Sequence, residues 1–338
     1  MRFALMRPAC IILSGSAGTG KKGWDVNLQV AVGPLSLRNP VIMASGTFGY
    51  GWEFGDFLDY RAIGGVVAKT ITLHPRKGNP PPRTCETPSG VLNSIGLPNG
   101  GLDQFLHVGL PYLSKLPTCR IASIAGETPD EFALMAGRIS AEGDIDAIEV
   151  NVSCPNVERG GMAFGCDAAA TRLVVESTKA ATRLPVIVKL TPNVTSIAEI
   201  AAAAEAGGAD IISGINTILA MAVDWRKARP LLANVTGGLS GPAIKPVALR
   251  MIWDMVRAVK VPVIGGGGIM SGSDALEFLT LGARAVEVGT ANIVEPSACT
   301  RIIAEMEAAL SQAGFDGVEA AVGRFPLPKR GGKNAPVT

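Results

Sequence analysis

The chain has 338 residues, 47% apolar and 18% charged, with a net charge of +2. That balance excludes a disordered chain, and without a long basic run it offers no electrostatic footprint for nucleic acid. Six scattered cysteines (Cys10, Cys85, Cys119, Cys154, Cys166 and Cys299) with no CxxC pair, and only two histidines, argue against a disulfide scaffold, a locally spaced zinc or iron–sulfur site, and multi-histidine metal chemistry.

The first segment, MRFALMRPACIILSGSAG, is basic and then apolar in the manner of a signal peptide, but Arg7-Pro8 breaks its apolar stretch. No apolar run in the chain reaches the roughly 18 residues expected of a membrane span. Residues 15–23, GSAGTGKKG, fit GxGxxG through Gly18, Gly20 and Gly23 and nearly fit a P-loop, with Lys22 where a magnesium-binding Ser or Thr belongs. Both motifs require a helix next, because phosphate sits on its N-terminus. The next patterned segment, Val26-Asn27-Leu28-Gln29-Val30, alternates like a strand instead. Residues 1–25 are therefore expected to form a leader outside the domain, and a cytoplasmic location is expected.

Beyond residue 40, short apolar runs recur at 41–45, 65–70, 120–125, 147–153, 185–191, 210–216, 261–265 and 285–289. Helical patterns separate many of them, as at 129–141, 195–207 and 272–281. Apolar runs of this length suit parallel strands buried on both faces. Eight of them alternating with helices predict a (β/α)8 barrel (TIM barrel) over 26–315, followed by a C-terminal tail, 316–338. Two connections are too long for a plain barrel. Residues 71–100 are rich in Pro, Asn and Gly, and 217–243 read as an inserted hairpin. Both follow the carboxyl end of a strand, the face where barrel active sites are built.

The strand ends supply the candidate chemistry. They are Ser45-Gly46, Lys69-Thr70, Asn151 leading to Cys154 and Asn156, Lys189, Asn216-Thr217, Gly265 to Gly268, and Gly289-Thr290. Glycine turns after strands seven and eight are the recurrent phosphate site of such barrels. The remaining amides, hydroxyls and two lysines, with no carboxylate cluster, suit a planar ring bearing several carbonyls. A buried lysine there serves as a Schiff-base nucleophile or a fixed cation. Cys154, in NVSCPN, sits between two amides at a strand's mouth, where a thiol can act as base or nucleophile.

Taken together, ASGTFGYG (44–51), AKTIT (68–72), NSIGLPN (93–99), NVSCPNVERGGMAFG (151–165), VKLTPNV (188–194), INT (215–217), ANVTGGLSGPAIKP (233–246), IGGGGI (264–269) and VGTAN (288–292) resemble the class 1 dihydroorotate dehydrogenases, in order, over about residues 26–311. GGMAFG and GGLSGPAIKP look most like the class 1B, NAD-linked branch. The resemblance implies a subunit binding one flavin mononucleotide (FMN), paired with a partner subunit carrying FAD and a [2Fe–2S] cluster around a homodimeric core. It implies oxidation of dihydroorotate to orotate in pyrimidine synthesis. Cys154 would take a proton from C5 while hydride leaves C6 for the flavin. Lys69, Asn93, Ser94, Ile95, Gly96, Leu97, Asn151, Asn156, Asn216 and Thr217 would hold the substrate. Ser45, Gly46, Lys69, Thr70, Ser123, Asn151, Lys189, Ile215, Gly241, Gly267, Gly268, Gly289 and Thr290 would hold the flavin, with Lys189 stabilising negative charge on its reduced ring.

There is one departure. The family usually has Asn where this chain has Ser123, a shorter donor and acceptor. Three other readings of the same motifs are a dihydropyrimidine dehydrogenase-like flavoprotein, a fumarate-linked homodimer of class 1A, and a flavin electron carrier without catalysis. The NSIGLPN loop favours orotate, and Cys154 between amides argues against a pure carrier.

Overall fold

The computed structural model describes residues 26–142, 144–153, 155–156 and 162–326. Eight parallel strands close into a barrel. They are β1 (Val41–Met43), β2 (Gly65–Val67), β3 (Cys119–Ile124), β4 (Ala147–Asn151), β5 (Val186–Lys189), β6 (Ile211–Gly214), β7 (Val263–Gly266) and β8 (Ala285–Val288). Each pairs with the next in sequence, and β8 closes on β1 with Val286 opposite Val41 and Val288 opposite Met43. All eight are buried along their length apart from the first two residues of β3. That burial on both faces is why they read as continuous apolar runs instead of alternating ones.

Helices α1 (Pro129–Glu142), α2 (Ala168–Ala181), α3 (Ile197–Ala206), α4 (Lys245–Ala258), α5 (Gly272–Thr280) and α6 (Ala298–Gln312) cover the later strands. Side chains fix where three of them start. Asp167 accepts from Ala170 N at 2.7 Å, Ser196 from Glu199 N at 3.4 Å, and Ser271 from Asp274 N at 3.2 Å. In α1, Phe132, Met135, Ala136 and Ile139 recur at three- and four-residue spacing and turn one stripe into the core.

The two long connections do not fold separately. Strands Thr84–Thr87 and Gly90–Asn93 come from the first, Ile218–Met221 and Thr236–Ser240 from the second. All four make one antiparallel sheet in which Gly90–Asn93 pairs with Thr236–Ser240. The expected hairpin in 217–243 is present, and it is only half of this larger wall.

Two expectations at the ends of the domain are corrected. The alternation at 26–30 is not a strand: Asn27 makes an isolated bridge to Gly317, and the strand proper, Val30–Val32, turns at Gly33 to pair with Leu35–Leu37. The segment expected to begin a tail at 316 stays on the barrel. Val318 is buried, Arg284 Nη2 donates to Glu319 at 2.5 Å, and Phe325 N donates to Thr280 O at 2.9 Å. The proposed leader, 1–25, and residues 327–338 lie outside the described residues.

Candidate active site

The carboxyl ends of the strands surround a cleft of about 320 Å³, walled on one side by the antiparallel sheet. Ser45, Gly46, Lys69, Thr70, Asn93, Ile95, Leu97, Asn151, Lys189, Ile215, Asn216, Thr217, Gly241, Gly267, Gly268, Gly289 and Thr290 all border it. Sequence positions up to 245 residues apart are thus brought to one place by the barrel. Three expected residues do not border the cleft. Ser94 is turned aside to accept from Asn79 Nδ2 at 2.8 Å, and Gly96, at φ +76°, packs against Asn79. Ser123 is fully buried below the floor. Cys154 lies outside the described residues, and the backbone of Asn156 pairs with Met162 in a two-stranded ladder.

The glycines divide into two kinds. Gly267 (φ +124°) and Gly268 (φ +78°) need glycine for the backbone itself, and a Cβ on Gly267 would come within 2.8 Å of the Ala248 Cβ. Gly46 and Gly289 have no positive φ and no crowded Cβ position. Among the described residues, a Cβ on Gly46 meets nothing within 4 Å, and one on Gly289 meets only the Ala44 Cβ at 3.8 Å. Both border the cleft, so what their missing side chains leave open is cleft space. The β7 turn is held from behind: Lys245 Nζ donates to Asp274 at 2.6 Å, and Met270 N donates to the same carboxylate at 2.9 Å. Thr290 Oγ1 donates to Ser240 Oγ at 2.9 Å, tying the β8 turn to the sheet.

A ring of amides lines the opposite side. Asn216 Nδ2 donates to Ser153 Oγ at 2.9 Å, and its Oδ1 accepts from Thr217 N at 2.8 Å. Asn151 Oδ1 accepts from Ser153 N at 3.1 Å. Asn193, absent from the expected set, donates to Thr217 O at 3.1 Å and accepts from Leu219 N at 2.8 Å, fixing the chain where it leaves the barrel for the sheet. The 93–97 loop is pinned by Asn79, whose N donates to Ile95 O at 3.0 Å. Groups so restrained present donors and acceptors at set positions, which suits a flat ligand edged with carbonyl and N–H groups.

The floor of the cleft is charged, which corrects the expectation of a site without a carboxylate cluster. Glu149 on β4 and Glu287 on β8 point into the barrel beside Lys189 of β5, with exposures of 0%, 6% and 8%. Lys189 Nζ donates to Glu287 Oε2 and stands 3.6 Å from Glu149 Oε2. Burial opposes the Lys189 charge, but attraction to both carboxylates outweighs it and raises its pKa. Burial pushes the Glu149 carboxyl up, Lys189 pulls it down and Glu287 pushes it up again, leaving it at about 7. Lys69 differs: burial lowers its pKa, with Glu53 countering. Glu149 and Glu287 carried a signal in the sequence, a lone acid inside AIEVN and AVEVG, since an unpaired carboxylate is not kept in a barrel core.

A closed parallel barrel whose cation, amides and glycine turns gather at the carboxyl ends of its strands defines an enzyme of the (β/α)8 class. The family model for dihydroorotate dehydrogenase matches residues 27–310, and the chain belongs to that family, one of oxidoreductases. It is 54% identical over 296 residues to the dihydroorotate dehydrogenase B (NAD(+)), catalytic subunit, of Trichlorobacter lovleyi, covering 88% of this chain and 97% of that protein. The proteins of the same name from Desulforamulus reducens and Geobacter sulfurreducens are 53% identical over 302 residues and 51% identical over 301, each with 89% of this chain and 99% of the relative covered.

Proposed function

We propose that this chain is the FMN-binding catalytic subunit of an NAD-linked dihydroorotate dehydrogenase, acting in the cytoplasm. The observation that carries the reading is the cleft bordered by Gly46 and Gly289, two glycines beside which the described residues leave open space where a side chain would stand. The names of the relatives supply the substrate and the acceptor. FMN, when bound, supplies the acceptor for hydride leaving C6 of dihydroorotate.

The residues present fit that group. The Gly267-Gly268 and Gly289-Thr290 turns offer backbone N–H groups to a phosphate at close approach. Lys189 presents a buried cation, stabilised by two carboxylates, that would offset negative charge gained by the ring. Asn93, Asn151, Asn216 and Thr217 would orient the pyrimidine through its carbonyl and N–H edge, and Lys69, in the same cleft, would reach both ligands. Cys154, directly after Ser153, removes the C5 proton. A thiol suits this because its ordinary pKa near 8.5 leaves a useful thiolate fraction at neutral pH.

A separate subunit with FAD and a [2Fe–2S] cluster completes transfer to NAD. The words "catalytic subunit" in the relatives' name support a partner. Exposed Ile293 and Val294 beside the cleft are surface of the kind a partner covers, and exposed Leu219, Met221, Val223 and Trp225 on the sheet arm suit a homodimeric core within a heterotetramer.

The test is anaerobic addition of dihydroorotate to the purified, FMN-loaded chain. Bleaching by dihydroorotate, with no response to dihydrouracil, supports the reading. Bleaching by dihydrouracil alone moves the chain to the dihydropyrimidine dehydrogenase type. NADH formation should appear only when the partner subunit is added, and fumarate reduction by the chain alone would place it with the homodimeric branch.

A further inference from the structure

At the floor of the cleft three charged groups meet: Lys189 and Glu287 border the cleft, and Glu149 beneath them is fully buried. The charged groups facing Glu149 are Lys189 from β5 and Glu287 from β8, while β3 contributes the neutral Ser123. One ammonium cannot neutralise two carboxylates. The surplus negative charge, buried, costs several kcal/mol by the usual scale, and a single proton relieves it. The geometry singles out Glu149 as its acceptor. Glu287 is engaged directly by Lys189, whereas Glu149 Oε2 sits at 3.6 Å from Nζ, beyond hydrogen-bond distance, and has no hydrogen-bond partner among the described residues.

The other oxygen of Glu149 is connected. Ser123 Oγ donates to Glu149 Oε1 at 2.9 Å, and Thr70 Oγ1 lies 2.9 Å from Ser123 Oγ. While Glu149 is ionised, Ser123 donates to it, and Thr70 is then the donor to Ser123. Thr70 borders the cleft. Two hydroxyls thus point in series from the cleft to a buried carboxylate.

We propose that Glu149 is a positioning residue that takes up a proton beneath Lys189 when negative charge arrives above it, and that Thr70 and Ser123 deliver this proton from the cleft. The step balances. Thr70 accepts a solvent proton and passes its own to Ser123, Ser123 passes its own to Glu149 Oε1, and Glu149 becomes neutral while both hydroxyls are restored. The net charge around Lys189 is then unchanged by one added negative charge in the cleft. Burial already holds the Glu149 carboxyl at about 7, so such a charge acts on a group poised to titrate. The inference deepens the proposed function and rests on a flavin lying over Lys189.

The experiment is photoreduction of the FMN-loaded protein, anaerobic and weakly buffered, with a pH indicator reporting protons taken up per flavin between pH 6 and 9. Wild type should take up more protons than Glu149→Gln, with the difference largest at and above pH 7. Ser123→Ala should reach the extra uptake more slowly, because the relay is broken, and should move it to higher pH, since a hydrogen bond favouring the ionised carboxylate is lost. A Glu149→Gln curve superimposed on wild type overturns the proposal. Should that variant fail to fold, an unshifted Ser123→Ala profile overturns it equally. A chain that takes up no flavin overturns the reading of the cleft, and this inference with it.

Discussion

The Asn93 amide donates to the Gly238 carbonyl at 3.2 Å, joining segments 145 residues apart. Gly238 also backs Thr217: a Cβ there would overlap Thr217 Oγ1 and come within 2.5 Å of its Cβ. Gly238→Ala should therefore displace Thr217 from the amide ring. The expected result is full flavin content with KM for dihydroorotate raised roughly tenfold or more, the scale of one or two lost hydrogen bonds. An unchanged KM would remove Thr217 from the substrate contacts.

Gly289→Val and Gly267→Val should fail in different ways. At Gly289 the protein leaves room for a side chain, so the variant should fold with a near-normal melting temperature and purify without flavin. At Gly267 the positive φ and the Ala248 contact should cost more than about 1 kcal/mol and lower the melting temperature of the flavin-free protein. Flavin absorbance and thermal melts, measured side by side, check both.

Lys189→Ala strands two buried carboxylates. The flavin-free variant should lose about 3–5 kcal/mol, as when one member of a buried ion pair is removed. Lys69→Ala, which removes a cation whose burial already lowers its pKa, should cost far less. Urea titrations of the two variants decide, and equal losses would contradict the charged floor.

Stability should fall as pH rises through neutrality. The Glu149 carboxyl is raised from 4.5 to about 7 in the folded chain, so the native state binds more protons than the unfolded one in that window. The stabilisation is complete below pH 4.5 and lost as pH passes 7, with a ceiling of about 3 kcal/mol. Lys189, raised above 10.5, adds no slope there. Glu149→Gln should flatten the urea midpoint between pH 5 and 7.5, and a slope equal to wild type would show that another group carries it.

Cys154→Ala should retain FMN but lose at least about a hundredfold in flavin reduction by dihydroorotate, the scale of a general base. Cys154→Ser should keep some activity that rises with pH. Stopped-flow bleaching measures both, and a near-normal rate for the alanine variant at pH 7 would reassign the base.

The barrel was legible because strands such as Val186–Lys189 and Ala285–Val288 are buried on both faces and write that burial as unbroken apolar runs. The cleft was legible because barrel chemistry collects at strand ends, which places Lys189, Asn216 and Gly289 together from sequence alone. The sheet wall was not. Gly90–Asn93 and Thr236–Ser240 are short and half-buried, and their pairing depends on distant partners, which local patterning does not encode. Glu149 and Glu287 were passed over because each is one acid among apolar neighbours, and only the closed barrel shows that both face one lysine. Ser123 occupies the position expected to touch the flavin, but its short side chain instead bridges Thr70 and Glu149.

The welding of the two insertions bears on how the chain folds. Local βα units can form as soon as their residues are available, but the pairing of Val91 with Ser240 must wait until nearly 150 intervening residues have been brought into register. The substrate wall therefore depends on long-range pairing, as does the seam that closes the barrel, where Val286 meets Val41. A lesion in the barrel core should slow folding as a whole, whereas a lesion in the wall should leave the folding rate nearly intact and show itself as faster local opening, read as quicker amide exchange in Gly90–Asn93 and Thr236–Ser240 together.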